Sequence, residues 1–214
     1  TLTENRMSLA SVWRDGQIMP VGDSKAAPVL KAARLAASDR AADPMDQAIC
    51  GVADALVGLP LRSYPLRPDW PAFTQVWRDE VASEILYAVK GAPETIFDLC
   101  RLEIPTRAAA SAALATLANE GMRVLGVATA QLPTDPGCDP SGLQFTFEGL
   151  IAFEDPLRAE VPAAVAAARR AGVEIVMITG DYPTTASAIA RAAGISDGPV
   201  VSGAELATLD PSKI

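Results

Sequence analysis

From Val173 to Ile178 every residue but Glu174 is apolar, and the run ends in Thr179-Gly180-Asp181 before a helical pattern begins. A continuous apolar run of this length predicts a strand covered on both faces, as in a parallel sheet. The flanking sequence supports that reading. "FEGLIAFEDPLR" predicts a strand that stops at Asp155-Pro156. "AEVPAAVAAARRAG" predicts a helix with Arg169 and Arg170 in its last turn and Gly172 beyond it. A second helix runs from Tyr182 to Ala193 and ends at Gly194, and "PVVSG" predicts a third short strand. A βαβαβ order of this kind implies right-handed parallel crossovers.

The earlier part of the chain has a different rhythm. Asp15-Gly16 between Val12-Trp13 and Ile18-Met19 predicts a hairpin. "AAPVLKAARLAAS" has helical apolar spacing, and "DPMDQAICGVADAL" opens with Asp43 as a cap and Pro44 at the first helical position. "EILYAVKG" predicts a strand, "APETIFDLC" a helix, "AAASAALATLANEG" an Ala-rich helix stopped by Gly121, and "MRVLGVATAQL" another strand. "LPTDPGCDPSG" predicts an exposed loop.

With 214 residues, half of them hydrophobic, the chain can bury one large core or two small ones. Its net charge of -8 excludes nucleic acid as the main partner, because phosphate backbones demand clustered Lys and Arg. No apolar run approaches the roughly 18 residues that span a bilayer. The absence of His removes imidazole bases, Ser-His-Asp triads and most zinc sites. Cys50, Cys100 and Cys138 form no Cys-x-x-Cys pair and read as incidental thiols. The first residues carry neither an initiator Met nor a signal pattern, so the chain reads as processed or excised from a larger one.

Several stretches have both a chemical and a plain reading. Thr179-Gly180 at a strand's carboxyl end suits a phosphate, with a hydroxyl, close backbone approach and helix N–H groups. Asp181 suits a metal or a proton transfer, or else an ordinary N-cap. Lys90-Gly91, at the end of a strand and before a helix, suits a phosphate or a flat base, or a solvated Lys. Arg123, entering an apolar strand, points to solvent or to a fixed anion. Asp43 and Asp46 in a first helical turn are explained by capping and the helix dipole. Leu66, Trp70, Phe73 and Trp77 offer either core packing or an aromatic face for adenine.

The order of the motifs is more specific than any one of them. "TLTEN", "ADPMDQA", "YPLRPDWPAFTQV", "VKGAPE", "GMRVLGVA", "GLIAFEDPLR" and "MITGD" succeed one another. This succession resembles the large cytoplasmic loop of P-type ATPases, ion pumps that pass through an aspartyl-phosphate. The KGAPE form is most similar to the type II cation pumps. The resemblance covers nearly the whole chain. It implies an α/β protein in two parts. Residues 5–150 would form a nucleotide-binding domain with an antiparallel sheet flanked by helices. Residues 1–4 and 151–214 would form an incomplete phosphorylation domain, a partial parallel βαβαβ unit of haloacid-dehalogenase type.

The resemblance also implies roles. Lys90 and Gly91 line the nucleotide pocket, Asp46 approaches the adenine, and Arg123 meets the nucleotide phosphates. Thr179, Gly180 and Asp181 face the transferred phosphoryl group, and Asp155, Pro156 and Arg158 form the hinge between the two parts. Leu66 stands where the family places an aromatic against adenine, and Pro71 where it places a Lys, which leaves Phe73 or Trp70 as the aromatic. Leu157 replaces the second Pro of the hinge motif. The phosphorylated Asp would lie just before Thr1.

The expectation is a chain that binds ATP with Mg²⁺ but does not form the phosphoenzyme. No residue is assigned to a resident metal. Its partners are adenine nucleotide and the transmembrane and actuator domains of a pump. The parent lies in a membrane with this portion cytoplasmic, and the piece itself is soluble. Two alternatives stand beside this reading. One is a haloacid-dehalogenase-type phosphohydrolase, which needs an Asp-x-Asp strand end that no apolar strand here supplies. The other is a non-catalytic interaction module that has lost nucleotide binding.

Overall fold

The computed structural model describes residues 2–4, 6–38, 43–53, 58–78, 84–135, 137, 139–180, 183–195, 198 and 200–206. In chain order the strands and α-helices are β1 (Ser8–Arg14), β2 (Gln17–Pro20), α1 (Ala27–Ala36), α2 (Pro44–Val52), β3 (Leu59–Tyr64), β4 (Ala72–Arg78), β5 (Ile85–Gly91), α3 (Pro93–Leu99), α4 (Ile104–Asn119), β6 (Arg123–Leu132), β7 (Thr146–Glu154), α5 (Val161–Arg170), α6 (Pro183–Ala193) and α7 (Gly203–Leu206). The strands form one sheet in the order β2-β1-β7-β6-β5-β4-β3. Every neighbouring pair is antiparallel.

Local chemistry accounts for many of the boundaries. Asp15 and Gly16 both take positive φ, which a tight turn with the right-handed twist of its strands requires. Asp43 caps α2, its Oδ1 accepting from the Met45 N–H at 2.8 Å. Helix α4 begins four residues before the predicted Ala-rich stretch. Pro105 in its first turn lacks an N–H where none is needed. Beyond its Glu120 cap lies Gly121, whose φ of +86° lets the Met122 N–H reach the Leu117 carbonyl.

The sheet carries helices on both faces. On one, Val29 and Ala33 of α1 and Ile49 of α2 pack against Val12, Val127, Ile151 and Phe153. On the other, Ile96 of α3 packs against Tyr87, Val89 and Ala128. Phe97 and Ala110 of α3 and α4 cover Trp13 and Leu150 there. Neighbours such as Val12 and Trp13 point to opposite faces because strand side chains alternate. Each large side chain sealed in this way contributes roughly 1.5–3 kcal/mol. Gly126 lets α3 approach β6 closely: a methyl group there would sit 2.8 Å from the Ile96 Cβ.

The α/β class and the antiparallel sheet flanked by helices are as the sequence predicts. The parallel βαβαβ unit is not formed among the described residues. Its expected first strand is β7, and both edges of β7 are taken by antiparallel neighbours, β1 and β6. A strand gains its ladder only from a free flanking edge. Residues 173–180 form no strand, and Val176 and Ile178 are 77% and 94% exposed. Within that stretch Ile175 packs with Val161, Val165 and Ala193 of α5 and α6. Val200 and Val201 of the expected third strand are likewise exposed, and α7 follows them. The two intervening helices form where predicted.

Candidate functional site

Three elements bring four of the predicted residues together on the α1/α2 face of the sheet. Lys90 is the second-last residue of β5, with Phe73 directly across from it on β4. The Lys90 ammonium lies 5.5 Å from the centre of the Phe73 ring. Its Nζ donates to the carboxylate of Asp46, which α2 carries over the sheet. Both members of this pair are interior, Lys90 8% and Asp46 4% exposed. The other oxygen of Asp46 accepts from the Ser38 N–H at 3.2 Å. Burial pushes the Lys90 ammonium down to about 8, against the upward pull of the Asp43 charge.

Gly91 follows Lys90 and is also buried. A Cβ there would meet the Pro71 carbonyl oxygen at 3.0 Å and the Ala72 Cβ at 3.1 Å, so any side chain at this position would press β4 away from β5. Phe73 is thus the half-buried ring beside an interior cation–carboxylate pair.

The remaining predicted residues lie elsewhere. Trp70 is buried on the opposite face, its Nε1–H donating to the Thr74 hydroxyl at 3.3 Å, and it packs with Tyr87 and Ile96. Trp77 is also core, its Nε1–H closing on the Leu35 carbonyl at 2.7 Å. Leu66 is 65% exposed in the segment after β3. Arg123 shares the Lys90 face through Val127, which pairs with Lys90, but stands four residues along β6, roughly 13 Å away. Thr179 and Gly180 end the 173–180 stretch ahead of α6. Helix α6 packs on α4 and α5. Asp181, Thr1 and Cys138 lie outside the described residues.

Asp155, Pro156 and Arg158 sit where β7 leaves the sheet, alongside residues 2–4. Thr3 and Leu157 form an antiparallel bridge. The Glu4 N–H donates to the Pro156 carbonyl at 2.9 Å, the Arg158 N–H to Leu2 at 3.0 Å and the Arg158 Nε–H to Thr3 at 2.9 Å. The Arg6 N–H donates to Asp155 at 3.2 Å. Two chain passes are thus stitched into a short ribbon.

One network was missed from sequence. Asp135, in the stretch read as a plain loop, receives Arg62 of β3, the Tyr87 hydroxyl at 2.8 Å and the Gly137 N–H at 2.9 Å. These hydrogen bonds, the Gly137 N–H foremost, hold its carboxyl below the usual range. Asp139 caps a short 3₁₀ turn and pairs with Arg67 at 2.6 Å. The Asp-x-Gly and Asp-Pro-Ser spacings, which favour side-chain-closed turns, were the available signal.

A profile of haloacid dehalogenase-like hydrolases matches residues 1–211. The chain belongs to that family. Among curated proteins it is similar to P-type cation pumps. It is 37% identical over 150 residues to the sodium/potassium exporting P-type ATPase cta3 of Schizosaccharomyces pombe, covering 63% of this chain and 14% of that one. It is 30% identical over 254 aligned positions to the sodium/potassium-transporting ATPase subunit alpha-A of Artemia franciscana, covering 91% of this chain and 25% of that one. The corresponding Drosophila melanogaster alpha subunit is 38% identical over 132 residues, 51% of this chain and 12% of that protein. The P-type ATPase resemblance seen in the motifs therefore stands, and this member of the family spans a quarter or less of these relatives' length. Among the described residues no helix is long and apolar enough to cross a membrane.

Proposed function

We propose that this chain is the nucleotide-binding portion of a P-type cation pump, with its adenine nucleotide held at the Lys90–Phe73–Asp46 cluster. The observation that carries the reading is the convergence of these residues from β5, β4 and α2 on one face of the sheet. Phe73 is the aromatic available to the base, since Trp70 is buried on the other face. Lys90 supplies the cation, Asp46 the acceptor, and Gly91 the close backbone approach. ATP would arrive as its Mg²⁺ complex, the ion neutralising phosphate charge. Arg123, on the same face, is the residue placed to meet the phosphates beyond the base.

In this reading the division between nucleotide-binding and phosphorylation parts falls near residue 150, with the ribbon of Asp155, Pro156 and Arg158 as its hinge. Thr179, Gly180 and Asp181 belong to the phosphorylation part. Transfer in such pumps rests on positioning and charge stabilisation. No Asp-Lys-Thr-Gly-Thr acceptor motif occurs within these 214 residues, and the reading expects this piece to bind nucleotide without itself taking the label. It works with transmembrane and actuator portions, on the cytoplasmic side of a membrane. The transported species is a cation, for which sodium and potassium stand in the names of the relatives.

The test is an ATP titration of the chain by calorimetry or NMR, with Lys90→Ala alongside. Saturable binding that the substitution weakens, with no acid-stable label from γ-labelled ATP, is the expected result. A folded chain that does not saturate at millimolar ATP overturns the reading and favours a module that no longer binds nucleotide.

A further inference from the structure

Helix α1 is capped by Ala37, and the last carbonyls of a helix have no partner within it. Two side chains of β4 take them here. The Trp77 Nε1–H donates to the Leu35 carbonyl and the Gln75 Nε2–H to the Ala37 carbonyl, each at 2.7 Å. Phe73, Gln75 and Trp77 alternate along β4 and so share the face that carries Lys90. Ala37 is fully buried and Gln75 is 9% exposed. The peptide group that accepts from Gln75 also donates. Its N–H, that of Ser38, reaches the Asp46 carboxylate at 3.2 Å, and Asp46 in turn accepts from Lys90.

A peptide group is planar and trans, so its C=O and N–H point in opposite directions. The Ala37–Ser38 unit therefore lies as a rigid bar between Gln75 on one side and Asp46 on the other. Turning it away would leave the Gln75 amide, the Ala37 carbonyl and one Asp46 oxygen without these partners in the interior, which is costly. Hydrogen bonds in series also polarise one another, so the Gln75 donor strengthens the Ser38 N–H as a donor to the carboxylate. Ala37 has φ −85° and ψ 146°, which takes this peptide out of the helical direction. A helix end can be left to water. At this one, a glutamine from the strand that carries Phe73 aims an N–H at the carboxylate that pairs with Lys90.

We propose that Gln75 is a positioning residue of the nucleotide site: through the Ala37–Ser38 peptide it sets the direction of the Asp46 carboxylate, and so how that carboxylate meets the exocyclic amine of a bound adenine. The proposal rests on the nucleotide reading above and adds to it a residue that touches neither base nor phosphate. Trp77 has no such role. Its bond is to the Leu35 carbonyl, whose peptide N–H, on Ala36, belongs to the helix.

The experiment measures, by calorimetry on the full chain, the affinities for MgATP and for purine riboside triphosphate, which lacks adenine's exocyclic amine. Gln75→Leu keeps the bulk and removes the donor. It should weaken ATP binding about three- to tenfold and leave the analogue within about twofold of its parent affinity. Trp77→Phe removes an equivalent bond at the same helix end. It should lower thermal stability and leave both affinities within about twofold. Ser38→Pro deletes the N–H itself, after a residue whose backbone is already extended as a following proline requires. It should match Gln75→Leu, and the two together should do no more than either alone. This variant keeps the test decisive if Gln75→Leu does not fold. Unchanged ATP affinity in Gln75→Leu, equal losses for the two nucleotides, or an equal effect of Trp77→Phe would overturn the proposal. Amide exchange without nucleotide reads the link directly. The Ser38 N–H should exchange about tenfold faster in Gln75→Leu and in Asp46→Ala, measured against the amides of β5. A parent chain that binds ATP but shows unchanged Ser38 exchange in Gln75→Leu overturns this proposal alone, and a folded parent that binds no ATP overturns the nucleotide reading and this proposal with it.

Discussion

Replacing Lys90 by Met tests whether the ion pair under α2 is interior in solution. Met keeps the length of the stem and removes the charge. Asp46, 4% exposed, would then retain the Ser38 N–H at 3.2 Å and lose its cation. Leaving a buried carboxylate uncompensated costs about 3–5 kcal/mol. Against a total stability of about 5–15 kcal/mol, that is a large fraction. The double variant Lys90→Met/Asp46→Leu removes both charges and leaves mainly the Ser38 N–H unpaired, so it should fall within about 2 kcal/mol of the parent. The two substitutions should therefore couple by a few kcal/mol, on the order of 3. Urea unfolding followed by far-ultraviolet circular dichroism measures all four states, with m-values checked for constancy. If Lys90→Met costs under about 1 kcal/mol, or if the two single effects simply add, the pair is solvated and the reasoning fails.

Glycine substitutions should separate strain from crowding. Gly16→Ala, in open space at φ +82°, should cost about 1–2 kcal/mol from backbone strain alone. Gly126→Ala forces a methyl group against Ile96 and should cost about 1–3 kcal/mol from overpacking. Gly149→Ala combines φ +154° with overlap on the Trp13 carbonyl oxygen and should be the worst of the three in thermal unfolding. Burial, reinforced by the Glu148 charge, pushes the Cys100 thiol up to about 12 from an ordinary 9.0. The unfolded chain then releases its proton first, so stability should hold below pH 9 and fall as pH rises towards 12. In native labelling at pH 8 read by mass spectrometry, half-buried Cys50 should react before buried Cys100. Asp135→Ala removes the acceptor shared by Arg62 and Tyr87 and should cost about 1–3 kcal/mol, with amide exchange faster at Gly137. Unchanged exchange there would mean that the loop is held by other contacts.

The candidate site was legible residue by residue through the motifs, and less so as an arrangement. Lys90-Gly91 at a strand end and Asp46 after a Pro-opened helix are local patterns. That Asp46 closes on Lys90 depends on where α2 lies over β5, which no local spacing encodes. Of the aromatics, Trp70 and Phe73 looked equivalent in sequence. The tertiary structure decides between them: Phe73 on β4 shares the face of Lys90, whereas Trp70, bridged to Arg67 ahead of β4, packs with the α3 side. The Asp135 network was invisible for the same reason: its partners stand 73 and 48 residues away in sequence.

What the residues determined alone was punctuation and class. Asp15-Gly16, the Asp43-Pro44 cap and Gly121 act through backbone energetics confined to a few neighbouring residues, so their outcome follows from local sequence. The apolar rhythm likewise determined which segments could be strands or helices. Pairing was left to the tertiary structure. Residues 147–154 and 173–180 both carry strand patterns, yet only the first is a strand, with β1 and β6 on its two sides. A strand's hydrogen bonds belong to its neighbours, so whether an apolar run becomes one is settled by which edges the rest of the fold leaves open.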